Sequence, residues 1–281
     1  MSENEELRKQ LKQKEQEYEK AKERFKQLKK TIRRNYEGVV TLLTEVISLS
    51  DRFLGGHLKR CAVTAKGYSK YLQHPKDVVY LHYYSSLLHD IGLVGKDTSM
   101  ITLPREQLNE SQWEAFELHP AEGEEIIGSI YNLKRTAAII RAHHERYDGS
   151  GFPDHLSGEA IPYGARITAL VNDWDILTYK HKLSHEEVMG RIEEESGSAY
   201  DPTLVETFLP FITDWKKGQG STSSHISIEE LKPGMYLEED IVLSNGLLLL
   251  PTGLILDEQA IEKLHSFSSM LDRKNSFKVV Y

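Results

Sequence analysis

The sequence predicts a mainly α-helical chain in three parts: an N-terminal coiled-coil helix, an all-helical domain and a small C-terminal β-rich module. Three observations predict this: a heptad repeat at the start, apolar residues at helical spacing in the middle, and short apolar runs around an Asn-Gly turn at the end. With 281 residues, of which 39% are hydrophobic, the chain can build at least one substantial core.

The heptad repeat occupies residues 1–49, and eleven of its thirteen seam positions are apolar. The seam positions are Leu7, Leu11, Lys14, Tyr18, Ala21, Phe25, Leu28, Ile32, Asn35, Val39, Leu42, Val46 and Leu49. This pattern predicts a parallel coiled coil that makes a homodimer, with Asn35 setting the register. The alternative is a lone amphipathic helix packed on its own domain. We favour the coiled coil because the helix begins in polar sequence.

Residues 50–216 are predicted to form one helical domain, since apolar residues recur there every three or four positions. Residues 217–224 are rich in Gly and Ser and predict a flexible linker. Residues 225–281 predict the β-rich module. Its expected elements are a strand over 235–243, a turn at Asn245-Gly246, a strand over 247–250 and a helix over 258–267.

Composition excludes several classes of protein and site. Cys61 is the single cysteine, so a metal ion must be held by His, Asp or Glu rather than by a thiolate cluster. Residues 1–35 carry twelve Lys or Arg against seven Asp or Glu, whereas the remainder carries 23 against 36. An acidic body disfavours polymeric nucleic acid as a partner. The sequence has no run of eighteen apolar residues and no secretory signal, which predicts a cytoplasmic protein without a membrane partner.

The chemistry of the helical domain is carried by six candidate metal ligands: His57, His89, Asp90, His119, His143 and His144. Neighbouring residues on a helix diverge by about 100°, so adjacent pairs such as His89-Asp90 suit two ions better than one. Asp90 could bridge both ions, and a hydroxide formed from water between them would be the nucleophile. His57 or His119 alone would more often be structural, His89-Asp90 alone is a weak signal and His143-His144 alone fits either interpretation, but together they favour a two-metal site.

Longer motifs surround these ligands. The runs LLHDIG from Leu87 and HHERYDGSGFP from His143, together with His119-Pro120, closely resemble the HD-GYP family of HD-domain metal phosphohydrolases, which cleave cyclic dinucleotides. The resemblance covers about residues 40–215. It implies metal ligands at the six positions named above. It also implies a loop after the His pair, formed by Glu145, Asp148, Gly149, Gly151, Phe152 and Pro153. The two glycines are expected to adopt positive φ.

The chain departs from the family pattern in several places. The family's Asp ligand in the helix after the loop is Asn172 here, with Asp173 as a fallback one residue on. Leu93 occupies the position at which the family often has a Lys that can contact the substrate phosphate. Residues 181–184, from His181 to Ser184, occupy the position of an Arg-rich stretch of the family. Phosphate binding would then depend mainly on the metal ions, with Arg146 and Lys96 as the remaining cationic candidates.

The resemblance also implies two divalent ions rather than three. Family members that bind a third ion have a Glu one helical turn before the first His ligand, and that position is Phe53 here. The ligand types favour iron or manganese, with zinc possible. Cys61 is expected to be a small buried apolar residue rather than a ligand.

The expected function is hydrolysis of a cyclic dinucleotide such as cyclic di-GMP in bacterial signalling, under an upstream receiver or sensor domain. The main alternative is a catalytically weak HD-GYP-like scaffold that binds a ligand or partner. A phosphohydrolase acting on another phosphate ester is the third.

Overall fold

The structure is a computed structural model that describes residues 3–97, 100, 103, 105–130, 133–217, 223–271 and 276–280. Helices dominate these residues, which confirms the predicted fold class. The helices are α1 (Glu3–Ser50), α2 (Arg52–Tyr71), α3 (Lys76–Leu88), α4 (Glu110–Gly128), α5 (Lys134–Arg141), α6 (Tyr163–Asp175), α7 (His185–Glu194), α8 (Pro202–Lys217) and α9 (Glu258–Ser266). The described helices include none that is both long and apolar enough to cross a membrane. The cytoplasmic location stays a prediction.

The chain divides into two compact units, and the first, Met1–Leu43, contains most of helix α1. Its apolar heptad positions face solvent in the single chain, with Leu11 62%, Phe25 60% and Leu42 64% exposed. A helix of this length gains most of its stability from packing an apolar face. An exposed seam therefore suits pairing with another helix, and the homodimer stays a prediction.

The second unit covers Thr44–Tyr281. Two of its helices, α2 and α4, have side-chain caps at their N-termini. The Asp51 side chain accepts a hydrogen bond from the Leu54 amide, and Asn109 forms a reciprocal capping box with Gln112. Such caps satisfy amides that have no partner inside the helix. Helix α2 packs on α3 and α6, while α4 packs on α5 and on the 3₁₀ turn Ile91–Leu93. These contacts bring the ends of several helices together.

The helical core lies mainly between α2, α6, α7 and α8. Tyr68, Leu170 and Phe208 are completely buried in it. The Tyr68 hydroxyl donates to the Leu204 carbonyl at 2.7 Å, so burial leaves this polar group satisfied. The core supports α2 and α6 from the side, and both helices carry candidate metal ligands.

The C-terminal module contains β1 (Ser223–Ser227), β2 (Tyr236–Leu237), β3 (Ile241–Val242), β4 (Leu248–Leu250) and β5 (Ser276–Val280). The antiparallel order β1-β5-β2 forms one sheet, and β3 pairs with β4 in another. The expected strand over 235–243 is therefore wrong, because it divides between the two sheets. The Glu238 amide still bonds the Lys278 carbonyl, whereas the Asp240 carboxylate accepts from the Thr252 amide. The hairpin at the Asn-Gly turn and the helix after it are confirmed.

The predicted linker lies only partly within the described residues. Residues 218–222 lie outside them, and Ser223 and Ser224 belong to β1. Residues 44–281 form one compact unit, and the proposed boundaries within it stay predictions.

Candidate metal centre

The six candidate ligands and Asn172 come from separate elements and meet inside the helical domain. His57 lies on α2, His89 and Asp90 follow α3, His119 lies on α4, His143 and His144 follow α5, and Asn172 lies on α6. His89, His119 and His143 are fully buried, and Asp90 is 6% exposed. Burying so many polar groups costs free energy unless they bind something.

Asp90 lies at the centre of this cluster, with one carboxylate oxygen facing each side. Its Oδ1 is 3.1 Å from His119 Nε2 and 3.4 Å from His143 Nε2. Its Oδ2 is 3.3 Å from His89 Nε2 and 3.8 Å from His57 Nε2. We call His119, His143 and His144 the Oδ1 half of the centre, and His57, His89 and Asn172 the Oδ2 half.

The spacing within each half fits a metal ion. His119 Nε2 and His143 Nε2 are 3.3 Å apart, and His57 Nε2 and His89 Nε2 are also 3.3 Å apart. Two imidazole nitrogens bound to one tetrahedral zinc ion lie about 3.3 Å apart. Asp90 with the Oδ1 half, and His57 and His89 with Asp90, form two groups whose ligand atoms lie within 4.8 Å of one another.

The tautomers of the histidines also fit metal binding. The Nδ1 atoms of His89 and His143 donate to the carbonyls of Ser86 and Ile140, at 2.9 and 2.6 Å. His119 Nδ1 donates in the same way to the Phe116 carbonyl. With the proton on Nδ1, the Nε2 lone pairs point at one another and at Asp90. Lone pairs that face one another repel unless a cation lies between them, so these nitrogen and oxygen ligands fit divalent ions.

Burial sets the charge state of the site. Burial lowers the pKa of His143 to about 4, and the neighbouring His89 and His119 lower it further against the hydrogen bond to Asp90. Burial and the adjacent His143 also hold the pKa of His144 well below its usual value. Burial alone would raise the pKa of Asp90, but the charge of His89 and the contacts with His119 and His143 hold it well below its usual range. Burial lowers the pKa of His89 as well, but the charge of Asp90 outweighs this and raises it. His143 and His144 are thus neutral imidazoles beside an ionised carboxylate, which is the form that binds metal, whereas His89 would release its proton on binding.

The structure brings Asn172, not Asp173, to the Oδ2 half. Asn172 Oδ1 lies 3.2 Å from His89 Nε2. Its Nδ2 donates to Asp173 Oδ1 at 3.0 Å, and Asp173 Oδ2 accepts from the Tyr200 hydroxyl at 2.7 Å. Asp173 therefore turns the amide oxygen of Asn172 towards the site while its own carboxylate is directed at Tyr200.

The loop after the His pair is held together by two of its own carboxylates. Glu145 is buried, and its carboxylate accepts from the amides of Asp154 and Leu156 at 2.7 and 3.0 Å. The Asp148 carboxylate accepts from the Ser150 amide and hydroxyl. These contacts close the loop on itself, and neither carboxylate belongs to the metal-ligand groups.

Only one of the two loop glycines has positive φ. Gly149 has φ +84°, as expected, but Gly151 does not adopt positive φ, so that expectation was wrong. A Cβ at Gly151 would lie 2.3 Å from the Arg146 amide nitrogen and 2.5 Å from the His144 carbonyl oxygen. Close backbone approach is therefore what requires this glycine. Because the chain at Gly151 lies this close to residues 144–146, the ring of Phe152 stacks on His144, with the two ring centroids 4.9 Å apart. Pro153 follows directly and ends the motif.

Lys96 and Arg146 are engaged elsewhere. Lys96 Nζ donates to the Ala115 carbonyl at 2.9 Å and forms an ion pair with Glu122. Arg146 pairs with Glu195 at 2.7 Å. The structure therefore places both expected phosphate-binding residues outside the described lining of the cavity beside the ligands.

That cavity has a volume of about 200 Å³. It is lined by Phe53, His57, Asp90, Leu93, Met100, Leu103, Arg105, Leu108, Trp113, Phe116, His144, Asn172, Ile176 and Lys180. Sequence reasoning missed Arg105 and Lys180, the two cations among the described residues that line it. The Arg105 guanidinium lies 4.4 Å from the centre of the Trp113 ring, which stacks on Phe116. An Arg eight residues before a Trp was the available signal, but it belongs to no motif of the resemblance.

Cys61 is fully buried, with its sulfur 3.6 Å from His57 Nδ1. Burial and the charge of Asp175 raise the pKa of its thiol well above the usual value, against the effect of Arg60. The protonated thiol is a poor metal ligand.

Comparison with known proteins agrees with this geometry. A family model described as the HD domain matches residues 41–204, which is more than half of the chain. The chain belongs to the HD domain family. The motifs that resemble the HD-GYP branch of this family lie inside the matched region, and the relatives below confirm that resemblance.

Three curated relatives of this HD domain protein are phosphodiesterases by name. A cyclic di-GMP phosphodiesterase of Vibrio cholerae is 32% identical over 189 residues, covering 60% of this chain and 38% of the relative. The response regulator RpfG of Xanthomonas campestris, also a cyclic di-GMP phosphodiesterase, is 30% identical and is covered over 50% of its length. A 3'3'-cGAMP-specific phosphodiesterase of V. cholerae is 29% identical. Since this chain spans half of such relatives or less, their activity is not transferred to it directly.

Two solved structures share the fold of this HD domain protein. A cyclic GMP-AMP specific phosphodiesterase of V. cholerae aligns over 83% of this chain and 58% of its own, with a TM-score of 0.52 and 20% identity. An HDG"Y"P protein of Bdellovibrio bacteriovorus aligns over 56% of this chain and 51% of its own, with a TM-score of 0.50 and 16% identity. At these identities the likeness supports the fold alone.

Proposed function

We propose that this chain hydrolyses the phosphodiester of a cyclic dinucleotide of the cyclic di-GMP type, with two divalent metal ions bound around Asp90. The observation that carries the proposal is the division of the Asp90 carboxylate between two groups of histidines, Oδ1 facing one and Oδ2 the other. The names of the relatives supply the substrate class.

The residues assigned to each ion follow from the two halves. His119, His143 and His144 would hold one ion with Asp90 Oδ1, and His57, His89 and Asn172 would hold the other with Asp90 Oδ2. Iron or manganese suits these ligands, with zinc as a third choice. When bound, such ions polarise a phosphodiester and lower the pKa of water to near neutrality.

The remaining cavity residues bind and orient the substrate. Arg105 and Lys180 add positive charge to the lining beside Asp90, where the phosphate of a substrate would lie. The Trp113 ring, stacked with Phe116, offers a face for a nucleobase. Leu93, Leu103 and Leu108 exclude water from the same space, which strengthens the attraction between these cations and an anionic substrate. In this proposal Arg105 and Lys180 make the phosphate contacts that the family's cations make at the positions of Leu93 and residues 181–184.

We further propose that α1 pairs with α1 of a second copy and couples the HD domain to an input domain. Support comes from the exposed heptad seam. Replacing Leu28 with Glu puts two charges into that seam. We expect the variant to sediment as a monomer at concentrations where the wild type is a dimer, and a dimeric variant would contradict the pairing.

The function is tested with full-length protein loaded with manganese or iron and incubated with cyclic di-GMP and 3'3'-cGAMP. Chromatography of the products should show linear dinucleotides or mononucleotides, and His89→Ala should abolish them. His265→Ala is the matched control, since His265 is exposed on α9, and it should keep full activity. Binding of a cyclic dinucleotide without turnover would support the scaffold alternative, and turnover of other phosphate esters alone would overturn the substrate class.

A further inference from the structure

The metal ligand His57 is anchored by a buried carboxylate that belongs to neither metal half. Asp175 Oδ2 accepts from His57 Nδ1 at 2.7 Å. The same carboxylate accepts two bonds from Arg60, from Nε at 2.7 Å and from Nη2 at 2.9 Å. Asp175 is 1% exposed and Arg60 is 7% exposed. A metal-binding imidazole is oriented by the group that its other nitrogen contacts, so the position of Asp175 sets the orientation of His57.

Arg60 in turn lies between Asp175 and an aromatic ring. Its guanidinium carbon is 4.3 Å from the centre of the Tyr179 ring. Tyr179 belongs to the π-helical segment Ile176–Lys180, which continues α6 directly after Asp175. A planar guanidinium held by a bidentate carboxylate on one side and a ring on another has little freedom to rotate. The location of Tyr179 therefore limits where Arg60 and Asp175 can lie.

Tyr179 is held by the C-terminal module. Its hydroxyl donates to the Gly253 carbonyl at 3.3 Å and lies 3.2 Å from the Tyr236 hydroxyl. The backbone of Gly253 lies directly against the ring, because a Cβ at this position would be 2.4 Å from two ring carbons. Gly253 has φ +84°, a conformation that also favours glycine. Tyr236 and Gly253 both lie outside residues 41–204, the part that matches the HD domain.

The same module also contacts one face of α2, the helix that carries His57. Lys59 Nζ donates to the Leu248 carbonyl at 2.8 Å, and Lys66 pairs with Asp257 at 2.8 Å. Val63 packs against the core of the module. Positions 59, 63 and 66 share one face of a helix, whereas His57 and Cys61 lie on another. The module therefore holds α2 directly and also reaches His57 through Tyr179.

We propose that the C-terminal module is a positioning element of the metal centre, which orients His57 through Tyr179, Arg60 and Asp175. The inference rests on the proposed metal centre. It assigns to the module the affinity for the ion of the Oδ2 half, since no described contact of Tyr236 or Gly253 reaches His119, His143 or His144. Tyr236 and Gly253 are then positioning residues rather than catalytic ones.

The chain contains a matched pair of glycines for the test. Gly253 and Gly246 have φ +84° and +86° in the same module, so replacement by Ala strains both backbones to a similar degree. Only the Cβ of Gly253→Ala meets Tyr179, because nothing lies within 4 Å of a Cβ at Gly246. Any difference between the two variants reports on the contact with Tyr179.

The experiment titrates metal-free, full-length protein with Co²⁺ and follows the visible absorption of the bound ion and the number of ions per chain. We expect two ions in the wild type and in Gly246→Ala. In Gly253→Ala we expect the affinity for one ion to fall by about 10- to 100-fold, with a changed absorption spectrum, while the other ion binds as before. Tyr236→Phe should weaken the same ion to a smaller extent.

The outcomes separate the two proposals. A wild type that binds no Co²⁺ overturns the metal centre itself. A wild type that binds two ions, with Gly253→Ala indistinguishable from Gly246→Ala, overturns the role of the module alone. Equal weakening of both ions in Gly253→Ala also overturns it, since that indicates general destabilisation. If Gly253→Ala does not fold, Tyr236→Phe decides, because it removes one hydroxyl, and unchanged Co²⁺ binding then refutes the inference.

Discussion

The two halves of the candidate metal centre are anchored in different ways. In the Oδ1 half, His119 and His143 each donate to a carbonyl three residues earlier in their own segment. In the Oδ2 half, His89 has the same local contact with Ser86 and Asn172 is oriented by its neighbour Asp173, but His57 is oriented by Asp175, a residue 118 positions away. Local backbone contacts form with the helix itself, whereas side-chain contacts between distant elements require the completed fold. The Oδ1 half is therefore expected to tolerate changes that disable the Oδ2 half.

Asp90 is the one group that both halves share, so its replacement has the largest expected effect. Asp90→Asn removes the negative charge between the two groups of histidines. We expect both ions to be lost and phosphodiester hydrolysis to fall by at least about 1,000-fold, which corresponds to roughly 4 kcal/mol. Metal content per chain and turnover measure this. Asp214→Asn, an exposed change on α8, should alter neither, and retention of two ions in Asp90→Asn would contradict the shared position of Asp90.

Asp175→Asn tests whether the halves are separable. The change leaves Arg60 buried beside a neutral amide and removes the carboxylate that holds His57. We expect the ion of the Oδ2 half to bind about 10- to 100-fold more weakly and the ion of the Oδ1 half to bind normally. Calorimetric titration with Mn²⁺ reports both.

Asp201→Asn is the control for Asp175→Asn, because Asp201 is also a buried carboxylate, paired with Arg166 at 2.6 Å. Both variants should melt at lower temperature, since each leaves an Arg without its partner. Only Asp175→Asn should lose metal affinity. Loss of affinity in both variants would show that general stability, rather than the orientation of His57, controls metal binding.

Asn172→Asp should strengthen the Oδ2 half. The change places a second carboxylate beside His89, but it also puts like charge next to Asp173, which now accepts from the Asn172 amide. We expect affinity for the ion of that half to rise by about tenfold in the double variant Asn172→Asp with Asp173→Asn, and by less in Asn172→Asp alone. Equal affinity of wild type and double variant would show that charge at position 172 does not limit metal binding.

Arg105→Ala has the smallest expected effect and separates substrate binding from both metal halves. Arg105 lines the cavity but belongs to neither group of ligands. We expect KM for a cyclic dinucleotide to rise about tenfold, with little change in kcat or metal content. Arg135→Ala removes an exposed cation from α5 and should change none of these values. A fall in kcat with unchanged KM would place Arg105 in the reaction rather than in binding.

The sequence predicted most of the fold and the six residues of the two halves together with Asp90, but not Asp175, which orients His57. Amphipathic spacing predicts helices because it reflects burial of one face, and the helical domain has that pattern throughout. The strand over 235–243 was predicted wrongly, since short apolar runs do not reveal which of two sheets each part joins. Arg105 and Lys180 were missed because separate segments bring them to one cavity.

By itself, the sequence determined the ligand types, their order and the helical scaffold, because these depend on residue chemistry and on contacts between near neighbours. The tertiary structure alone decided which oxygen of Asp90 faces which histidines, that Asn172 rather than Asp173 reaches the site, and that Tyr179 joins the C-terminal module to His57. Each of these depends on the relative placement of elements far apart in the chain, and that placement is set by packing of the whole core.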